Sequence, residues 1–282
     1  DGSIALISQS GAMGVMFMRY MGLFRLGLSG FFGLGNRVDV DETELVSYFA
    51  DDKKTNVIAL YLETIARGRE FLQECKRASE LKPVVCLKAG WTKEGRRAAS
   101  LHTGALAGTD MIVDGAFKQA GIIRAYDEIE LMDYAEALAF ARPIHGKRIG
   151  IVTLTGGLGV ISTDYLVSTS RGVGLELASF TDETKKELRD VSLPFASVEN
   201  PVDLSADYRV EATTTALEIV LDDENVDGVI YMVPILLPFP SDEKVVSTIQ
   251  NIVARTEKPV IFKTENASRH GHEWRRKLHE LE

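Results

Sequence analysis

Short runs of almost uniformly apolar residues alternate along this chain with longer segments in which apolar residues recur at helical spacing. Strands that lack a polar residue at every second position are typical of parallel sheets covered on both faces. Helical segments between such strands predict right-handed β–α–β crossovers. The sequence therefore predicts an α/β fold built from open, doubly wound parallel sheets.

The predicted strands are the apolar runs at residues 4–8, 29–33, 57–62, 84–88, 122–124, 149–153, 175–178, 228–233 and 260–263. The clearest predicted helices lie at residues 42–50, 68–79, 127–141, 182–190, 209–221 and 241–256. A chain of 282 residues has about the length of two domains. The turn residues at 141–146 end the longest helical pattern. We therefore expect one domain at residues 1–143 and a second at residues 147–282.

The beginning of the chain recurs 145 residues later. Residues 4–15 (IALISQSGAMGV) align without gaps on residues 149–160 (IGIVTLTGGLGV), and hydroxyl residues and glycines fall at the same positions. Lys82-Pro83 before one predicted strand is echoed by Lys258-Pro259 before another. Chance similarity between apolar strands is the alternative explanation. Two similar domains, each opening with the same strand, turn and helix, explain both observations more simply.

Composition narrows the possible functions. The net charge of −9 argues against nucleic acid or an anionic membrane as the main partner, and no apolar run approaches the ~18 residues that span a bilayer. The two cysteines form neither a disulfide scaffold nor a zinc pattern.

Three histidines near the end of the chain lack paired carboxylates at ligand spacing, so no metal site is predicted at His270, His272 or His279. We expect a cytoplasmic protein and, because a strand pattern begins by Ile4, further chain before Asp1.

Two strand-to-helix turns are candidate phosphate sites: the first turn, at residues 8–12, and the second turn, at residues 153–157. The first N–H groups of a helix lack intrahelical partners and carry partial positive charge, which suits an anion. Both turns are predicted at the carboxyl edge of a sheet, where open α/β folds bind ligands. Helix capping alone is the alternative for either turn, and the presence of two matching turns favours phosphate binding. The candidate residues are Ser8, Gln9, Ser10, Gly11, Ala12, Thr155, Gly156 and Gly157.

Other nucleotide-binding motifs do not fit the chain. The glycines of the two turns lack the spacing of the dinucleotide fingerprint GxGxxG, and no GxxxxGK[ST] phosphate loop occurs. A nicotinamide dehydrogenase is therefore not predicted.

A histidine and a carboxylate are predicted at the same sheet edge as the first turn. His102 lies in a stretch at residues 88–110 that is rich in small and basic residues, which we interpret as a long loop. Its imidazole could act as a nucleophile, and packing or capping is the alternative role. Glu63 ends the strand at residues 57–62 and could orient that imidazole. A solvated acid, or an ion pair with Arg67 or Arg69, explains Glu63 equally well.

Taken together, these motifs resemble the NDP-forming acyl-CoA synthetases, and in particular the α part of the ADP-forming acetyl-CoA synthetases, relatives of succinyl-CoA synthetase. The resemblance extends over nearly the whole chain, and the HTGALAG stretch is its most specific part. The residues that carry it lie at 8–11, 35–39, 61–63, 82–90, 102–108, 155–157 and 200–203. The resemblance implies two flavodoxin-like domains.

The family resemblance also implies a reaction and a set of site residues. Acyl-CoA, ADP and phosphate would be converted reversibly into a carboxylic acid, ATP and CoA, through an acyl phosphate and a phosphohistidine. His102 would carry the phosphoryl group, Glu63 would orient it, and the two turns would flank it. The complete enzyme would bind CoA, ADP or ATP, and Mg²⁺, whereas this chain alone would bind at most phosphate.

Parts of such an enzyme are missing from this chain. The resemblance implies a CoA-binding domain and an ATP-grasp module or β subunit as partners, and we expect a homo- or hetero-oligomer. The apolar stretch at residues 231–237 could face a partner, and burial in the core explains it equally well. Two other functional interpretations of the sequence stay open beside the acyl-CoA synthetase. One is a catalytically silent regulatory region fused to an acetyltransferase, and the other is a plain flavodoxin-like module that binds a small molecule.

Overall fold

The computed structural model describes residues 2–24, 26–35, 37–103, 110–168, 174–205, 207–232 and 242–263, with residues 100, 102, 103 and 242–246 described by their backbone alone. The chain divides into two compact units, Asp1–Phe140 and Ala141–Glu282. Several sequence predictions concern residues outside the described ranges: Asn36, residues 104–108, residues 233–237, and the three histidines His270, His272 and His279.

The first unit is a five-stranded parallel sheet with helices on both faces. Its strands are β1 (Ile4–Ser8), β2 (Leu28–Gly33), β3 (Val57–Leu62), β4 (Val84–Lys88) and β5 (Ile122–Ala125), in the order β2-β1-β3-β4-β5. Its helices are α1 (Gly11–Phe24), α2 (Glu42–Asp51), α3 (Gly68–Ser79), α4 (Lys93–Thr103), α5 (Asp110–Gln119) and α6 (Glu128–Phe140). The predicted doubly wound α/β fold is confirmed.

Successive residues of β1 face two different apolar cores. Ala5 and Ile7 pack toward α2, α3 and α5, whereas Ile4 and Leu6 pack toward α1 and α6. All four side chains are fully buried. Burial on both faces explains why the strand has no polar residue before Ser8.

The second unit also has a five-stranded parallel sheet, in which two strands have only two residues each. Its strands are β6 (Arg148–Thr153), β7 (Glu176–Leu177), β8 (Val202–Asp203), β9 (Gly228–Met232) and β10 (Val260–Lys263), in the order β10-β9-β6-β7, and β8 also pairs with β6. Its helices are α7 (Gly156–Val167), α8 (Asp182–Val191), α9 (Val210–Asp222) and α10 (Asp242–Ala254). Tyr231 and Met232, in the stretch considered for a partner, are buried in the core.

The short strands β7 and β8 share one edge of β6, and the side chain of Asn200 joins them. Its Nδ2 donates to the carbonyls of Ile149 and Ala178 at 2.7 and 3.0 Å, and its Oδ1 accepts the N–H of Ile151 at 3.0 Å. Strand β8 lies at residues 202–203, where the sequence predicts no strand. A strand of two residues is too short to produce a recognisable hydrophobic pattern.

The predicted internal repeat is present in the structure. The strand order β2-β1-β3-β4 of the first unit corresponds to β7-β6-β9-β10 of the second. Lys82 Nζ donates to two backbone carbonyls just after α2, at 2.7 and 2.8 Å. Lys258 Nζ likewise donates to two backbone carbonyls at the end of α9, at 2.6 and 2.8 Å. Burial lowers the pKa of both ammonium groups. Each lysine therefore satisfies at least one carbonyl group left over at a helix C-terminus.

The interpretation of residues 88–110 as one long loop was wrong. Residues 93–103 form α4, and Thr92 caps this helix because its Oγ1 accepts the N–H of Gly95 at 2.9 Å. Gly90 turns the chain into the helix with a φ of 78°, a conformation that favours glycine. The small residues taken as signs of a loop include Ala98 and Ala99, and alanine is the strongest helix former.

Candidate functional site

The first turn is built around a buried serine. The Oγ of Ser8 donates to the carbonyl of Ser10 at 2.7 Å and accepts the N–H of Ser10 at 3.2 Å. The Oγ of Ser10 accepts the N–H of Met13 at 3.3 Å, as an N-cap does. Gly11 and Ala12 are exposed, and their N–H groups have no hydrogen-bond partner among the described residues. This turn therefore presents two backbone donors at the positive end of α1.

The second turn repeats this construction. The Oγ1 of buried Thr153 donates to the carbonyl of Thr155 at 3.1 Å and accepts its N–H at 3.0 Å. Thr155 precedes α7 and is exposed, and its side chain makes no capping bond. Within the described ranges, the N–H groups of Gly156 and Gly157 also lack a partner. The second turn thus offers the same two backbone donors together with a hydroxyl group.

A carboxylate lies beside the second turn. A Cβ on Gly156 would come within 2.7 Å of the Oδ2 of Asp203, so a larger residue here would force that carboxylate to move. The Oδ1 of Asp203 accepts the N–H of Ser205 at 2.8 Å. A negative charge is stabilised at the start of α7, and the same charge would repel an anion there.

Gln9 distinguishes the first turn from the second, where Leu154 takes its place and packs into the apolar core. The Oε1 of Gln9 accepts the N–H groups of Glu63 and Thr64 at 2.8 and 3.0 Å. Its Nε2 donates to the carbonyl of Thr64 at 2.7 Å and to Glu42 at 3.2 Å. The side chain of this candidate phosphate ligand is therefore engaged within the fold.

Glu63 lies where the sequence predicted, directly after β3. Burial raises the pKa of Tyr61, and the Glu63 carboxylate adds to that rise through its charge and a hydrogen bond to the phenol. Arg67, which the sequence offered as an ion-pair partner for Glu63, pairs with Asp41 and Glu44. The Glu63 carboxylate can accept further donors beside the phenol, because an ionised carboxylate has about four lone-pair positions.

Three charged residues at this edge were not identified as site residues from the sequence. Glu42 is fully buried, and Arg37 Nη1 donates to both of its oxygens at 3.2 Å. Lys88 is buried at the end of β4, and its Nζ donates to the carbonyls of Glu63 and Ala89 at 2.7 Å each. Burial lowers the pKa of this ammonium group. Glu42 looks like an ordinary helix-start residue in the sequence, so no local signal marked it.

His102 lies in the last turn of α4. That helix follows β4, which is the neighbour of β3 in the sheet, so α4 and Glu63 leave the same edge from adjacent strands. Beyond the interval at residues 104–109, α5 is tied to β5 by ion pairs from Arg124 to Asp110 and Asp114. These ion pairs therefore fix the helix that follows this interval to the sheet.

Neither a metal site nor a membrane span is found in the described ranges. No three His, Cys, Asp or Glu side chains of these ranges are grouped so as to hold a metal ion. None of the described helices has the length and apolar character needed to cross a bilayer.

Comparison with known proteins gives consistent matches. The family model described as "Succinyl-CoA ligase like flavodoxin domain" matches residues 1–138. The chain is 40% identical over 204 residues to the α subunit of ADP-forming acetate–CoA ligase I from Pyrococcus furiosus, covering 72% of this chain and 43% of that protein. It is 38% identical over 210 residues to the ADP-forming acetate–CoA ligase of Methanocaldococcus jannaschii, covering 74% and 29% respectively. The chain thus spans less than half the length of either relative.

A solved structure also matches the whole chain. It is the dinucleotide-forming acetyl-coenzyme A synthetase 1 of Candidatus Korarchaeum cryptofilum in complex with phosphate and ADP. The TM-score is 0.85 at 30% identity, and the match covers 100% of this chain and 64% of that chain. The two α/β units therefore have counterparts in a longer protein.

Proposed function

Because this chain belongs to the family of NDP-forming acyl-CoA synthetases, we propose that it is the phosphohistidine-bearing part of an ADP-forming acyl-CoA synthetase, an acid–thiol ligase. The complete enzyme converts acyl-CoA, ADP and phosphate into a carboxylic acid, ATP and CoA, and the reaction is reversible. This chain supplies the histidine and the phosphate-binding turns.

The proposed reaction has three transfers. A phosphate oxygen attacks the thioester carbonyl, a C–O bond forms, the C–S bond breaks, and CoA leaves as the thiolate. A ring nitrogen of His102 then attacks the phosphorus of the acyl phosphate, an N–P bond forms, and the carboxylate leaves. Finally an oxygen of the ADP β-phosphate attacks the same phosphorus, which forms ATP and returns the neutral imidazole.

One observation carries this proposal: the first turn and Glu63 lie at the same edge of the sheet, on adjacent strands β1 and β3. Gly11 and Ala12 are exposed residues, and their N–H groups have no partner among the described residues, which leaves them available to phosphate oxygens. A helix N-terminus stabilises a negative charge by about 0.3–2 kcal/mol. The Glu63 carboxylate would accept one N–H of the His102 imidazole and leave the other ring nitrogen to attack.

We propose that the second turn, Thr155 to Gly157, also binds phosphate. A phosphoryl group carries about two negative charges, and the N-terminus of α7 supplies partial positive charge. The hydroxyl of Thr155 and the N–H groups of Gly156 and Gly157 are available for this role. Asp203 beside this turn makes it the weaker anion site of the two.

CoA and the nucleotide would bind mainly to parts of the enzyme other than this chain. CoA and the nucleotide belong to a CoA-binding domain and to an ATP-grasp module or β subunit, in keeping with the greater length of the relatives. Mg²⁺ accompanies the nucleotide, and the described residues offer no carboxylate cluster for it, so we assign it no residue of this chain. The chain by itself is expected to be inactive.

The experiment that tests this function measures coupled product formation. The complete protein, with its partner subunit if separate, is mixed with acetyl-CoA, ADP, phosphate and Mg²⁺. We expect one ATP for each CoA released, and no CoA release when phosphate is omitted. Failure to form ATP from acetyl-, propionyl- and aryl-CoA substrates would contradict the proposal and favour the silent regulatory region.

A further inference from the structure

The backbone of Glu63 is held from both sides by side chains of the neighbouring strands. In the sheet order β1-β3-β4, Glu63 follows the central strand. Gln9, directly after β1, accepts the N–H of Glu63 through its Oε1 at 2.8 Å. Lys88, at the end of β4, donates through its Nζ to the carbonyl of Glu63 at 2.7 Å. Both polar groups of the Glu63 backbone are therefore fixed by side chains rather than by solvent.

Backbone groups of Glu63 and Thr64, together with Glu42, determine the orientation of the Gln9 amide. An ionised carboxylate only accepts hydrogen bonds, so the NH₂ group of Gln9 must face it. A flipped amide would place Oε1 against the Glu42 carboxylate and the carbonyl of Thr64, and NH₂ against two N–H groups. Arg37 balances the charge of Glu42 and also donates to the hydroxyl and the carbonyl of Thr64. The pair of buried Glu42 and partly exposed Arg37 thus supports the orientation in which the Oε1 of Gln9 meets Glu63.

The fold does not require this polar arrangement. The second unit forms the same strand, turn and helix with the apolar Leu154 at the position of Gln9. Burying Glu42 and Lys88 also costs desolvation energy, and replacing such groups by apolar residues is often neutral or stabilising. The arrangement occurs in the unit that contains Glu63 and His102. A functional reason for it is therefore more economical than a structural one.

We propose that Gln9 and Lys88 are positioning residues for Glu63, and that the Glu42–Arg37 pair helps to hold the Gln9 amide. They hold the Glu63 backbone so that its carboxylate is presented in one orientation to the imidazole of His102. This inference rests on the proposed function, because it assumes that Glu63 acts on His102. It gives Gln9 a different task from the phosphate contact that the sequence suggested.

The test compares Gln9→Met and Lys88→Met with Lys82→Met in the complete enzyme. Lys82 is a matched control, because it flanks the other end of β4 and also donates to two carbonyls. We expect the single-turnover rate of phosphoryl transfer from ATP to His102 to fall about 10–100-fold in the first two variants. The control is expected to lose comparable stability and to keep the wild-type rate.

A second set of variants separates positioning from general destabilisation. If Gln9 and Lys88 act through Glu63, their substitutions should slow a Glu63→Gln enzyme by no more than about two-fold. If the rate of a double variant falls by the product of the two single-variant reductions, the proposal is overturned. Equal slowing by Lys82→Met would overturn it as well.

Amide hydrogen exchange supplies a readout that does not depend on activity. Gln9→Met should speed exchange at the N–H groups of Glu63 and Thr64, whereas Lys82→Met should leave them protected. If the wild-type enzyme forms no phosphohistidine, the proposed function fails. Hydrogen exchange alone then tests whether Gln9 holds the backbone of Glu63 and Thr64. Unchanged exchange in Gln9→Met would refute the positioning role.

Discussion

Replacing His102 by alanine is expected to abolish ATP formation in the complete enzyme while leaving the cleavage of acyl-CoA by phosphate measurable. In the proposed reaction, only the second and third transfers involve the imidazole, because the first joins phosphate directly to the acyl group. Removing the nucleophile of a covalent intermediate typically costs about four orders of magnitude or more. The measurement follows ATP formation and, separately, CoA release in the presence of arsenate, which forms an unstable acyl arsenate and drives the first transfer.

His145→Ala is the control for this prediction. His145 is exposed and lies outside the candidate site, so ATP formation by this variant should match the wild type. If His102→Ala forms ATP at the wild-type rate, His102 has no part in the transfer. If it loses arsenate-dependent CoA release to the same degree as ATP formation, His102 acts earlier than proposed.

Glu63→Gln is expected to slow phosphoryl transfer to His102 by about 10²–10⁴-fold with little change in stability. Glutamine has the size of glutamate, and its carbonyl can still accept a hydrogen bond. It cannot supply the negative charge that stabilises the positively charged ring or reliably select one tautomer. The measurement is the single-turnover rate of label transfer from ATP, with thermal unfolding of the same samples as a check on folding.

Glu80→Gln serves as the matched control, since Glu80 is exposed at the C-terminal end of α3, away from the site. This control should transfer label at the wild-type rate. A Glu63→Gln enzyme with an unchanged rate would remove Glu63 from the mechanism. Its hydrogen bond to Tyr61 would then be its structural role.

Much of the fold could be predicted because apolar periodicity is a local signal. The helix predicted at residues 68–79 has the bounds of α3, and the strands at residues 57–62 and 84–88 have those of β3 and β4. The helix α4 was missed because glycine and small residues were taken as a loop signal. Its capping residue Thr92 and its alanines were the stronger indication.

The candidate site could be predicted only in part. The first and second turns could be predicted because their hydroxyl residues and glycines are adjacent in sequence. Gln9 meets Glu42 and Thr64 across 33 and 55 residues of chain. Such contacts depend on β1 and β3 being neighbours in the sheet, which no local pattern specifies. The contacts of Gln9 with Glu42, and of Gln9 and Lys88 with Glu63, therefore could not be predicted from the sequence.

The most direct measurement is to incubate the complete enzyme with Mg²⁺ and ATP labelled in its γ-phosphate, and then to map the labelled peptide. We predict a label that is lost in acid, survives in base, resides on His102, and is removed when ADP is added. A label on a serine, a threonine or a carboxylate, or a wild-type enzyme that takes up none, would contradict the phosphohistidine account.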